Sequence, residues 1–92
     1  MGFEIELSHF SKIDLKEARD YYFVISPVVL KRFDNELSET MERIAINPQY
    51  FQKGNRNRKI VFTKEFPFGI HYLVDGNTVY IQRILHQKRH YQ

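Results

Sequence analysis

Phe68, Ile70, Tyr72 and Val74 alternate with Gly69, His71 and Leu73; Asp75-Gly76-Asn77 follows; Val79 to Leu85 then resumes an apolar, β-branched run. Alternation at a period of two predicts strands, and Asp-Gly between two such runs is a tight hairpin signal, because Gly takes a positive φ at no steric cost. An antiparallel hairpin is therefore built into the last third of the chain. Everything upstream must supply a layer that buries one of its faces.

Phe3, Ile5 and Leu7 alternate with Glu4, Glu6 and Ser8, which predicts a strand with one wet face. Asp14 is placed to cap a helix running to about Ile25, with Leu15, Ala18, Tyr22 and Ile25 along one side. Ser26-Pro27 starts a second helix, Ser as N-cap and Pro at the first helical position. Its stripe is Val29, Phe33, Leu37, Met41, Ile44 and Ala45, and Asn47-Pro48 stops it. The short junction makes the two helices an antiparallel hairpin. Residues 49–57 read as a polar loop, and Lys59 to Thr63 as a further strand. The order is β-α-α-β-β-β. The expected fold class is α+β: an antiparallel sheet, with the first strand added at an edge, packed on a helical hairpin.

Ninety-two residues make one domain, 1–92, with 42% apolar residues and a thin margin of stability to which a partner chain can add. There is no cysteine, which excludes disulfides, thiolate catalysis and Cys-ligated zinc, and suits a cytoplasmic setting. No apolar run approaches 18 residues, so no membrane span is expected.

Charge is unevenly spread. Met1 to Gln49 holds six Lys/Arg against nine Asp/Glu, and Tyr50 to Gln92 holds eight against two. The halves are thus −3 and +6. The basic half points to an anionic partner, either nucleic acid or an acidic protein segment. Lys53, Arg56, Arg58, Lys59 and Lys64 follow one another without an acid among them. They suit phosphate oxygens, or they are a solvated loop. His86, Arg89, His90 and Tyr91 follow the last strand. His suits general acid–base work near neutral pH, and Arg suits charge developing on phosphorus. These are the ingredients of a metal-free ribonuclease; a frayed terminus is the alternative. His86 and His90 have the spacing of a helical metal pair but leave a strand, and neither Cys nor a nearby carboxylate completes a shell, so neither metal nor cofactor is expected. Phosphate-binding Gly loops, nucleophile elbows and His-Glu-x-x-His are missing from the sequence.

In this order, several segments carry a resemblance. They are Asp20-Tyr21-Tyr22 after Ala18, Phe33 with Leu37, Ile44-x-x-Asn47-Pro48, Arg58, Phe66-Pro67-Phe68-x-Ile70-x-Tyr72, and Ile84-Leu85-His86-x-x-Arg89. With them the chain resembles the RelE/ParE superfamily of bacterial toxins from type II toxin–antitoxin systems. The resemblance implies a helical hairpin on a twisted antiparallel sheet, and a cognate antitoxin whose partly disordered segment wraps the toxin. It leaves a homodimer and a toxin–antitoxin hetero-oligomer both open.

The superfamily divides by target. RelE-like members are mRNA interferases that cut mRNA on the ribosome without metal. By that pattern Arg58 and Arg89 would hold the scissile phosphate, His86 would act as acid or base, and Tyr91 would orient the nucleotide. Lys53, Arg56 and Lys59 would bind the RNA backbone. ParE-like members instead poison DNA gyrase and carry no nuclease set; the Phe-Pro-Phe run and the tyrosines of the first helix resemble that branch. A catalytically inactive binding module of the same fold is the third expectation.

Overall fold

A computed structural model describes residues 2–50, 52, 53 and 58–88. The elements are β1 (Glu4–Leu7), α1 (His9–Ile25), α2 (Pro27–Ile46), β2 (Gln52–Lys53), β3 (Lys59–Phe62), β4 (Phe68–Asp75) and β5 (Thr78–His86). The sheet is five-stranded in the order β1-β5-β4-β3-β2. The α+β class, the helical hairpin and the edge position of β1 are as the sequence implies. Among the described residues no helix is long and apolar enough to cross a membrane.

Three details of strand pairing and element boundaries differ from expectation. β1 pairs with β5 in parallel, Glu4 opposite Thr78 through Leu7 opposite Ile81, so the sheet is mixed. The predicted loop contains β2, whose Gln52 and Lys53 lie opposite Ile60 and Lys59. Helix α1 begins five residues before Asp14, at His9. Its N-cap is Ser8, whose Oγ accepts the Ser11 N–H at 3.0 Å and donates to the Gln82 carbonyl at 2.8 Å. One hydroxyl thus ends β1, starts the helix and ties both to β5. Asp14 is already inside the helix, with work elsewhere.

The β4–β5 hairpin closes with Asp75 opposite Thr78 and Gly76 at φ 60°. That left-handed position is where glycine is favoured. Phe68, Ile70 and Tyr72 on one face of β4 meet Val79, Ile81 and Ile84 of β5, all buried. Against them lie Ala18 and Tyr22 of α1 and Phe33, Leu37 and Ile44 of α2. Ile25, expected in the inner stripe, is exposed where α1 ends. Tyr22, Phe33, Phe66 and Phe68 form an aromatic knot with centroid separations of 5.0 to 5.4 Å for the pairs Tyr22–Phe66, Tyr22–Phe33, Phe33–Phe68 and Phe33–Phe66. Such ring pairs add to the area they bury.

Polar contacts pin this knot. The Glu36 carboxylate on α2 accepts the backbone N–H groups of Glu65 and Phe66 at 2.9 and 3.1 Å, gripping the β3–β4 turn. The Thr63 hydroxyl donates to the Phe66 carbonyl inside the same turn. Arg19 and Asp34 join the two helices through bonds of 2.9 Å, and these hold the Asp34 carboxyl below its usual range.

Candidate functional site

β5 outruns β1. Their pairing ends at Ile81, and Gln82 to His86 continue with β4 on one side only. An open strand edge needs partners for its backbone groups. Here α1 supplies them. Ser8 donates its N–H to the Ile81 carbonyl at 2.9 Å and its hydroxyl to Gln82. Asp14 accepts the Ile84 N–H at 2.9 Å.

The same carboxylate takes the Arg83 guanidinium in a two-point fork, 2.8 Å from Nε and 3.0 Å from Nη2. These hydrogen bonds raise the Arg83 pKa above its ordinary value. Arg83 also lies over the Phe10 ring, 5.9 Å from its centroid. The fork depends on a bulge. His71 pairs with Arg83 and Tyr72 with Ile81, so Gln82 is extra and the strand turns at that point.

A pocket of about 290 Å³ opens beyond this edge, lined by Asp14, Glu17, Phe68, Arg83, Ile84 and His86 among others. The His86 ring stands edge-on to Phe68 with centroids 5.3 Å apart. Its Nδ1 accepts the Lys88 N–H at 3.1 Å. Gln87 donates to the Pro67 carbonyl at 2.7 Å, fixing the turn after β5.

The residues singled out from the sequence are dispersed. Arg58 is exposed and precedes β3. Lys59 is buried, with 7% of its surface accessible, opposite Tyr72. Lys53 lies in β2. Arg56, Arg89 and Tyr91 fall outside the described residues. Arg58 and His86 are not brought together. Lys59 is in register with Tyr72, and His86 with Phe68. One more residue to Arg58 makes the offset about 17 Å along the strands and about 10 Å across them. The described end of β5 holds the Asp14–Arg83 pair, with Glu17 and His86 beside it and the exposed Lys88 following. Asp14 was legible only as a helix cap. The signal for Arg83 was two successive polar residues, Gln82 and Arg83, interrupting an apolar strand.

A helical hairpin packed on a twisted sheet is what the sequence resemblance implies, and the structure has it. Residues 5–91 match the family model described as the ParE toxin of the type II toxin–antitoxin system parDE, and the chain belongs to that family. Its fold is also that of a solved structure titled as the chromosomal ParDE toxin–antitoxin system from P. aeruginosa. The TM-score is 0.76 at 17% identity, over 89% of this chain and 92% of that one. A search of curated proteins finds no match.

Proposed function

We propose that this toxin arrests growth by binding its target, not by cutting RNA, that the target is DNA gyrase, and that a cognate antitoxin holds it silent. The observation that supports this reading is the separation of Arg58 from His86 by the β3–β4–β5 register. A metal-free ribonuclease must bring cationic and acid–base groups onto one phosphodiester. Lys59, counted among the RNA-binding cations, is buried against the sheet's own core face. Membership of the ParE family favours the same branch.

Two assays run side by side test the proposal. In the first, purified protein is added to gyrase with relaxed plasmid; loss of supercoiling and accumulation of cleaved complexes are expected. In the second, mRNA ends are mapped on translating ribosomes; no codon-phased cleavage is expected. Phased cleavage that disappears in His86→Ala, with gyrase unaffected, would overturn the proposal in favour of a ribosome-dependent mRNA interferase using His86, Arg58, Arg89 and Tyr91.

A further inference from the structure

The two helices share one face of the sheet, where Tyr22 and Phe33 pack on Phe68 and join Ile70 and Tyr72 in the core. The alternation of burial along β3, β4 and β5 turns Phe62, His71 and Tyr80 to the opposite face, which among the described residues carries no helix. Phe62 is 46% exposed and Tyr80 39%. Phe62 stands opposite Gly69, His71 lies two residues further along β4, and Tyr80 stands opposite Leu73, two residues further again. Each step crosses one strand and advances two residues, a distance of about 8 Å. The three rings thus form a diagonal over three strands, about 17 Å from end to end.

Gly69 is buried although it faces this open side, because the Phe62 ring covers it. A Cβ at Gly69 would stand 3.2 Å from Phe62 Cε1 and 3.6 Å from His71 Nε2. The missing side chain lets the Phe62 ring settle against the strand beside His71. β3 and β5 contain no carboxylate, and β4 has only Asp75 at its hairpin end. Arg58 and Lys64, both exposed and in no ion pair among the described residues, bracket β3. Glu6, opposite Tyr80 on β1, bounds the surface on its far side.

Rings at successive positions with cations beside them suit a single nucleic-acid strand, whose bases stack while its phosphates meet Lys and Arg. A duplex keeps its base faces hidden, and a second copy would set Arg58 and Lys64 against their own kind. The side chains flanking the diagonal in register are Ile60, Leu73 and Leu85. A ribose 2′-hydroxyl laid on them would lose water and gain no partner, a cost that deoxyribose does not carry.

We infer that the helix-free face of the sheet binds single-stranded DNA, with bases stacked on Phe62, His71 and Tyr80 and phosphates drawn to Arg58 and Lys64. This goes beyond the reading of the protein as a gyrase-directed toxin. It assigns a ligand to a surface which that reading leaves unused, and either can hold without the other.

Fluorescence anisotropy of a labelled DNA strand of about 12 nucleotides tests this, beside RNA of the same sequence and the duplex. The full chain is titrated at about 0.15 M salt, where exposed charges are largely screened beyond about 8 Å. The single DNA strand is expected to bind at least about fivefold tighter than either competitor. Tyr80→Ala and Phe62→Leu should each weaken it about tenfold, while Tyr80→Phe, which keeps the ring, should stay within about twofold. Circular dichroism checks that each variant is folded. Equal affinity for the duplex, or an affinity that neither Tyr80→Ala nor Phe62→Leu changes, overturns the stacking surface and leaves charge alone. Tighter binding of RNA overturns it in favour of an RNA surface, and no binding of the DNA strand overturns it outright. In none of these cases does the supercoiling result change.

Discussion

Asp14 on α1 holds Arg83 on β5 by a two-point fork of 2.8 and 3.0 Å, across 69 residues of chain, while accepting the Ile84 N–H with the same carboxylate. The Asp14 side chain is 10% exposed, so its removal strands a backbone donor and a guanidinium that water reaches only in part. Asp14→Ala should cost about 1–3 kcal/mol of unfolding free energy, and Asp14→Asn, which still offers an oxygen to Ile84, should cost less. Urea unfolding of the three proteins decides this; equal losses would mean that the charge matters and the backbone bond does not.

Glu36 carries a second joint. Its carboxylate accepts from the N–H groups of Glu65 and Phe66, and Phe66 belongs to the aromatic knot with Tyr22 and Phe33. Glu36→Ala should therefore loosen the turn and the knot together, at about 1–3 kcal/mol. The check is the midpoint of thermal unfolding alongside amide exchange at residues 64–66, which should accelerate in the variant. An unchanged midpoint would mean that the turn is held by Thr63 alone.

Arg58 and His86 should behave as independent sites. Residues of one catalytic centre couple strongly in double-substitution cycles, while distant ones add within about 0.5 kcal/mol. Growth arrest on induction, scored for Arg58→Ala, His86→Ala and the pair, is expected to show additive effects. A double variant no weaker than the worse single one would mean that both act on one bound group.

The sequence made the β4–β5 hairpin and α2 legible because their determinants are local. Alternation with Gly76 specifies one, and Ser26-Pro27 with a regular stripe specifies the other. The start of α1 was not, since Ser8 serves as strand end and cap at once, and Asp14 is a good cap residue occupied by Arg83. The parallel partner of β1 and the two-residue β2 depend on pairing with distant strands, which no local pattern encodes. From the sequence, the charge split suggested a single basic surface. Which charges share that surface depends on register, and a register of four β4 residues between the partners of Lys59 and His86 is what separates the residues grouped from the sequence.

Tyr72 offers a test in which the sign is fixed. Its ring is fully buried and its hydroxyl donates to the Pro48 carbonyl at 2.6 Å. Burial pushes the phenol from its ordinary 10.0 up to about 12. Above pH 10 the unfolded chain releases this proton and the folded chain keeps it, so stability is whole below about pH 10 and declines as pH rises towards 12. At about 1.4 kcal/mol per unit, the full decline is roughly 2–3 kcal/mol. Tyr72→Phe keeps the ring in the core and loses one buried hydrogen bond, which should cost about 1 kcal/mol near neutrality. The variant should also lose this alkaline decline, so its unfolding free energy should meet and then exceed that of the natural protein as pH rises towards 12. Urea titrations from about pH 8 to about pH 11.5 measure both effects. Parallel curves throughout would mean that groups other than Tyr72 carry the alkaline response.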